Sequence, residues 1–239
     1  MDGPKTAKIG QMFDAIAPGY DRLNHLLSIG TDRSWRRRAL REIITTEHPQ
    51  AILDLACGTG DFSIAIAEKA HPDTRIDAVD LSEGMLHVMR EKLAARGLAA
   101  RICPLQGNGE ALPFPDNRFD RVTIAFGIRN FEHRETALRE ILRVLKPGGR
   151  LVILELSVPA FPPIRWAYKL YFTHLLPRIG GRLTGEKAAY RYLPASVLAF
   201  PGKQAWMDTM TACGYGNVRH KAFSLGICRM YAGEKTPKT

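Results

Sequence analysis

The sequence predicts an α/β fold with a mostly parallel sheet, and three observations carry that prediction. From about residue 50 to residue 157, short apolar runs alternate with segments of helical period, the pattern of βαβ units. The first run ends in a glycine-rich loop, "CGTGD" (57–61), and the second in an acidic residue, Asp80. The last residues, "VRHKAFSLG" (218–226) and "ICRMYAGEK" (227–235), have the form of two strands joined by a tight turn. Together they describe a Rossmann-like sheet of seven strands with right-handed crossovers and the last strand antiparallel.

In order along the core, "AILDLAC" (51–57) is a strand rich in Leu and Ile, and "DFSIAIAEKA" (61–70) a helix with Phe62, Ile66 and Ala70 in period. "RIDAVD" (75–80) is the second strand, followed by a helix over "SEGMLHVMREKLAARG" (82–97) with Ser82 as N-cap and Gly97 as stop. A third strand falls near "ARICPLQG" (100–107) and a fourth at "FDRVTIAFG" (119–127). "ETALREILRVLKPGG" (135–149) is an amphipathic helix ended by Pro147 and two glycines, and "RLVILELS" (150–157) the fifth strand. A further helix lies near 202–213. The expected division is a single domain: a helical cap over 1–48, the βαβ core over 49–158, a second cap element over 159–200, and a C-terminal helix and hairpin over 201–239.

Composition sets bounds on function. The 239 residues, 45% hydrophobic and 24% charged, suffice for one sizeable core. There is no run of about 18 apolar residues and no leader-like start, so a soluble cytoplasmic protein is expected. Cys57, Cys103, Cys213 and Cys228 are scattered and the histidines lack ligand spacing, so neither a disulfide framework nor a metal is expected. The net charge of +10 suggests a polyanionic partner, nucleic acid or an anionic membrane surface, if it is more than a solvated surface.

The loop "DLACGTGD" (54–61) is the first motif that points to chemistry. Gly58 and Gly60 permit positive φ and close approach of a ligand, and the following helix start offers free N–H groups. Asp80, about 20 residues on, is placed to accept from both hydroxyls of a ribose. A nicotinamide fingerprint requires a third glycine, but that position is Ser63. Asp54 and Asp61 suit a cofactor with an amino group and a sulfonium, S-adenosyl-L-methionine, leaving a dehydrogenase or a non-catalytic adenosine-binding module as alternatives. The cofactor set is Asp54, Gly58, Thr59, Gly60, Asp80, Leu81, Asn108 and Gly109. The last two lie in "QGNGEALPFPDNRFD" (106–120), which resembles the adenine loop of class I methyltransferases, with Asn108 accepting from the adenine amino group.

The segment after the fourth strand, "AFGIRNF" (125–131), lacks the (Asp/Asn)-Pro-Pro-(Tyr/Phe) turn of enzymes that methylate base amines, which weighs against nucleic acid. Four stretches then coincide: "YDRLNHLLSIGTDRSW" (20–35), "FGIRN" (126–130), "RVLKPGGRLVILELS" (143–157) and "YRYLPASV" (190–197). Together they resemble the ubiquinone/menaquinone biosynthesis C-methyltransferases over about residues 10–233. Leu23, Asp32 and Ala125 depart from residues usual there, Met, His and Ser respectively.

The resemblance implies a class I methyltransferase fold and methylation of a ring carbon of a polyprenylated hydroquinone. The expected acceptor is demethylmenaquinol; the benzoquinol precursor of ubiquinone is the alternative. Such a carbon becomes nucleophilic when the neighbouring hydroxyl ionises, and a phenol with a pKa of about 10 needs help to do so at neutral pH. Arg129, with Asn130 and Tyr20, is the expected catalytic group, and Asn24, Ser28, Tyr190 and Tyr192 are expected to meet the acceptor. Glu155 is expected either on the rim or as a buried partner of an arginine. Tyr20, Asn24 and Ser28 share one helical face by their four-residue spacing. Trp35 and the arginines after it are expected to face outward, near lipid head groups. A helix over Ile164 to Leu176, dotted with Arg165 and Lys169, fits a lid over the prenyl tail or shallow peripheral contact with the inner face of the membrane. A homo-oligomer stays open.

Overall fold

The computed structural model describes residues 5–21, 28, 30–171, 173 and 187–237, except for the side chains of 187–191. The described elements are α1 (Lys5–Ile16), α2 (Thr31–Ile43), β1 (Ala51–Leu55), α3 (Asp61–Ala67), β2 (Arg75–Asp80), α4 (Glu83–Arg96) and β3 (Ile102–Gln106). They continue with β4 (Phe119–Ala125), α5 (Arg134–Val144), β5 (Leu145–Leu156), α6 (Pro162–Leu170), α7 (Lys187–Leu198), α8 (Lys203–Ala212), β6 (Tyr215–Phe223) and β7 (Cys228–Lys235). The seven strands form one sheet in the order β3-β2-β1-β4-β5-β7-β6. β7 runs antiparallel to both β5 and β6, and the other pairings are parallel.

Two-residue alternation divides the core between the faces of the sheet. Ile52, Ile76, Ala78, Val152 and Leu154 pack with Trp35, Leu40 and Ile43 of α2, Phe62 and Ile66 of α3, and Leu86 and Met89 of α4. Leu53, Leu55, Val79, Ile124 and Ile153 pack with Leu138 and Ile141 of α5 and Trp206 and Met210 of α8. The strand order reverses beside β1, between β2 and β4. Open α/β sheets bind their ligands at the carboxyl ends there.

Ser82 caps α4, its Oγ accepting from Met85 N at 3.1 Å, and Gly97 ends it in the left-handed conformation at φ 66°. Two expectations need correction. The helix expected to reach Pro147 ends at Val144, and β5 begins at Leu145, where Leu145 already pairs with Phe119. Pro147, Gly148 and Gly149 are the bulge between that pair and Arg121↔Arg150. Trp35 does not face lipid: it is 5% exposed, and Nε1 donates to Ser224 Oγ at 2.9 Å. α2 buries Asp32, Trp35, Ala39, Leu40 and Ile43 on one stripe, which leaves Arg33, Arg37, Arg38 and Arg41 outside. The helix expected to run from Ile164 to Leu176 is described as α6 only to Leu170, and most of its remainder lies outside the described residues. Asn24 also lies outside them, as does the side chain of Tyr190 on α7.

Candidate active site

At the carboxyl ends of β1 and β2 lies a cleft that could take the adenosine of a cofactor, the adenosine cleft. Leu55, Val79, Leu81, Met85, Gly107, Asn108 and Gly109 line it from the sheet side, and Thr6, Ile9 and Phe13 of α1 cover it. Asp80 Oδ2 accepts from Gly58 N at 2.8 Å and Oδ1 from Ser82 N at 2.9 Å, so the loop and the start of α4 are both hung on one carboxylate. Burial raises the Asp80 carboxyl above its ordinary value, and the N–H groups of Ser82 and Gly58 offset part of that rise. A charge held at this cost, at the cleft wall, fits a pair of ribose hydroxyls. Glycine is needed at position 109 because a Cβ there would stand 2.6 Å from the ring of Phe131. Gly60 adopts φ 82° and a Cβ would meet Met89 at 2.6 Å.

α1 is fastened over this cleft at two points. Thr6 donates from its N and Oγ1 to Glu132 Oε2 at 3.1 and 2.9 Å. Asp14 Oδ1 accepts from Ser82 Oγ at 2.6 Å and Gly84 N at 2.9 Å. A flat ring slid beneath α1 would lie between these latches.

Asp54 stands where β1 enters the loop and is 1% exposed. Its Oδ2 accepts from Ser63 Oγ at 2.5 Å and its Oδ1 from Thr123 Oγ1 at 2.9 Å. Burial still pushes its pKa up to about 6, with those hydrogen bonds and Arg36 pulling the other way. Asp61 is less available to a cofactor than the sequence implied: it is hydrogen-bonded to Lys92 and lies 3.5 Å from Arg36. Lys92 also binds Asp21 at 2.9 Å, and Thr59 Oγ1 donates to Asp21 at 2.5 Å, so this network joins the loop to the segment after α1.

The raised pKa of Asp54 has a measurable consequence. A carboxyl that rises from 3.8 to about 6 on folding binds its proton more tightly in the folded chain. Stability contributed by that proton is complete below about pH 4 and is lost as pH rises through about 6, a loss on the order of 3 kcal/mol. Asp54→Asn is therefore expected to be more stable than the parent at pH 7 by up to about 3 kcal/mol in urea melts without cofactor. That advantage should vanish near pH 4. A gap that stays constant between pH 4 and 8 would rule the titration of Asp54 out as its cause.

Beside the adenosine cleft runs a second, mostly apolar groove enclosing about 1450 Å³, part of it open to solvent. Trp35 of α2, Leu156, Ile164, Tyr168, Leu193 and Ile227 supply its walls. Tyr20 and Phe126 border both cavities and mark the place where an acceptor would meet a cofactor. Phe126 is held there at φ 64°, a left-handed backbone uncommon for a side chain of this size, with its N bonded to Leu154 O at 2.8 Å.

Arg129 lies in the 3-10 turn Ile128–Asn130 after β4, lines the groove and is 6% exposed. Its Nη1 binds Glu155 Oε1 at 2.8 Å and also Phe126 O, while Arg129 N donates to Glu155 Oε2 at 3.1 Å. Glu155 is fully buried, so of its two expected roles the structure shows the buried partner. Desolvation alone would lower the pKa of Arg129, but Glu155 and the hydroxyls of Tyr20 and Tyr192 outweigh it and keep the guanidinium charged. Its Nε has no partner among the described residues.

Of the remaining expected residues, Ser28 lines the groove with Tyr20, and Leu81 and Gly58 line the adenosine cleft. Asn130 borders the adenosine cleft and not the groove, and its Oδ1 accepts from Tyr192 Oη at 3.2 Å. Asn108 spends its carbonyl locally, accepting from Glu110 N at 2.9 Å, so its contribution to an adenine would come from its amide nitrogen or a second lone pair. Sequence reasoning missed Thr6, Ile9 and Phe13. The only signal was the apolar spacing of Ile9, Phe13 and Ile16 in the first helix.

Comparison with known proteins identifies the family. Residues 1–235 match the model of the ubiE/COQ5 methyltransferase family. A demethylmenaquinone methyltransferase of Bacteroides fragilis is 43% identical over 98% of this chain and 95% of its own length. A ubiquinone/menaquinone biosynthesis C-methyltransferase UbiE of Geobacter sulfurreducens is 47% identical over 97% of this chain and 90% of its own. Among solved structures, an S-adenosylmethionine-dependent methyltransferase from Aquifex aeolicus superposes with a TM-score of 0.60 at 17% identity, over 84% of this chain and 89% of its own. The [4+2]-cyclase SpnF does so with 0.65 at 17%, over 100% and 99%. A cyclase on the same fold means that the fold alone does not decide the reaction. The family match and the full-length relatives do: the chain belongs to the ubiE/COQ5 methyltransferase family and is an S-adenosylmethionine-dependent methyltransferase.

Proposed function

We propose that this enzyme methylates a ring carbon of a polyprenylated quinol, demethylmenaquinol first, on the path to a respiratory quinone. The observation that carries the reading is the apolar groove that meets the adenosine cleft at Tyr20 and Phe126. A polar acceptor would have no use for walls of Trp35, Leu156, Ile164 and Ile227, whereas a quinol with an isoprenoid tail would bury apolar surface along them. The names of the relatives give the same acceptor class.

The cofactor supplies an electrophilic methyl on a sulfonium. Asp80 would hold its ribose, Gly58 and Gly60 would let the loop approach it, Asn108 and Gly109 would meet its adenine, and Asp54 would face its amino end. Arg129 receives the oxygen of the acceptor ring, favouring its ionised form, and Tyr20 closes the junction over both.

The tail must be collected from a membrane, and α6 offers a means. Phe161, Trp166 and Leu170 are 61%, 69% and 47% exposed, and Lys169 is exposed among them. No helix among the described residues is long and apolar enough to cross a membrane. An aromatic and cationic face of this kind suits shallow, peripheral contact with anionic lipid.

One experiment tests both parts: purified protein, labelled S-adenosylmethionine, and demethylmenaquinol, a methoxy-polyprenyl-benzoquinol or total RNA as acceptor, with the quinols in vesicles. Label is expected in the quinols, fastest in demethylmenaquinol; label only in RNA, or nowhere, overturns the proposal. Vesicle binding should require anionic lipid and weaken as salt shortens the Debye length from about 10 to about 3 Å. Binding indifferent to both would remove the electrostatic part.

A further inference from the structure

A hydroquinone releases one proton in becoming a methylated quinol, and the described residues that line the acceptor groove include one carboxylate. Among its described lining residues, Asp32 is the only acidic side chain; the others are apolar groups, hydroxyls and the guanidiniums of Arg36 and Arg129. Hydroxyls and guanidiniums do not take up a proton near neutral pH. Burial raises the phenols of Tyr168 and Tyr171 further, which keeps them as donors. Glu155 is fully buried with its oxygens on Arg129 and on Leu156 N, and is not part of the groove wall.

Asp32 is itself placed with care. It is 4% exposed on the inner stripe of α2. Its Oδ1 accepts from Ser28 Oγ at 2.7 Å and its Oδ2 from Arg36 Nη1 at 2.8 Å, which fixes the plane of the carboxylate. Arg36 also borders the cleft that contains Asp54 and the glycine loop, and its guanidinium lies over the Phe126 ring at 5.4 Å. Arg36 thus ties Asp32 to Phe126, where the groove and the adenosine cleft meet.

Resting on the proposed acceptor class, we infer that Asp32 is the general base of the reaction, taking the proton of the ring hydroxyl next to the carbon that is methylated. The O–H bond breaks toward Asp32, and its electron pair moves into the ring. The ring carbon forms its bond to the methyl carbon while the carbon–sulfur pair stays on sulfur. That ring carbon then loses its own hydrogen to water as a proton, and the freed pair restores the aromatic ring and returns charge to the oxygen. The oxygen recovers the proton from Asp32, so one proton leaves per turnover. A paired carboxylate is a strong enough base because the hydroxyl becomes much more acidic as the new carbon–carbon bond forms. The division of labour is then plain: Arg129, held in place by Glu155, steadies the oxygen, and Asp32 removes its proton.

The test uses the full-length protein, demethylmenaquinol, and demethylnaphthohydroquinones whose hydroxyl is made more acidic by about 2–3 units with halogens on the far ring. Asp32→Asn keeps the shape, its oxygen still able to accept from Arg36 and its amide to donate to Ser28 Oγ, and is expected to lower kcat by about 10²–10³-fold with cofactor affinity within threefold of the parent. Asp32→His, which restores a base, should return kcat to within about tenfold of the parent. With the acidified acceptors the deficit of Asp32→Asn should shrink below about tenfold, which a purely structural role would not cause. An Asn variant within threefold of the parent overturns the inference, as does a deficit independent of acceptor acidity or a His variant no better than Asn. Failure of the parent itself to methylate any quinol would instead sink the proposed acceptor class.

Discussion

Arg129→Met is expected to lose both turnover and several kcal/mol of stability, and a second substitution should separate the two losses. Removing the guanidinium leaves Glu155, fully buried, without its cation, and breaking a buried pair from one side costs about 3–5 kcal/mol. For a chain of this length that is a fall in Tm on the order of 10 °C. Arg129→Met with Glu155→Gln removes the stranded charge and keeps one amide oxygen, which can accept from the N–H of residue 129 or of Leu156 but not from both. Most of the stability should return. Turnover should not: the charge that favours the quinol oxygen stays missing, and a loss of about 100-fold or more is expected for about 3–4 kcal/mol of phenolate stabilisation. Thermal melts and single-turnover rates on the same preparations check both. If the double variant recovers turnover along with stability, Arg129 is a structural residue and the acceptor oxygen is held by something else.

The pairing behind this prediction shows where sequence reasoning reached and where it stopped. Strands, crossover helices and the terminal hairpin were legible because each is fixed by local periodicity and by residues with one structural use, such as Ser82 and Gly97 at the ends of α4. The cofactor loop was legible because its glycines and acids lie within a short span at the end of β1. The partner of Arg129 was not. Glu155 is 26 positions away, and only the parallel register of Ala125 with Leu154 brings the turn after β4 beside the end of β5.

The same holds for the roof of the cleft. Thr6 and Glu132 meet across 126 positions, and nothing in either stretch announces the other. Asp32 and Arg36 are four apart on one helix, a spacing the sequence does display. Which face that helix turns inward depended on Trp35, whose expected outward orientation was wrong because it lies on the apolar stripe of α2. Once Trp35 turns to the core, Asp32 turns with it into the groove. The assignment of a base therefore follows from helix phase, which a single charged residue could not reveal.

Asp80→Ala is expected to weaken cofactor binding by about 10²–10⁴-fold, the largest effect foreseen for any single side chain on affinity. Two hydrogen bonds to a charged acceptor are worth about 1.5–3 kcal/mol each, and Asp80 is assigned two ribose hydroxyls. The same carboxylate also fastens Gly58 N and Ser82 N, so a loss of affinity by itself would not distinguish ribose binding from collapse of the loop. A cofactor analogue lacking both ribose hydroxyls separates them. In the parent the analogue should bind far more weakly than the natural cofactor, because the buried carboxylate loses its partners. In Asp80→Ala the two ligands should bind almost alike, giving a coupling of about 2 kcal/mol or more in the double cycle by calorimetry. A coupling below about 0.5 kcal/mol would mean that Asp80 acts through the loop alone. The cost of keeping that carboxyl charged in a buried site would then be explained by the geometry of Gly58, and the ribose would have to be held by backbone groups of the loop.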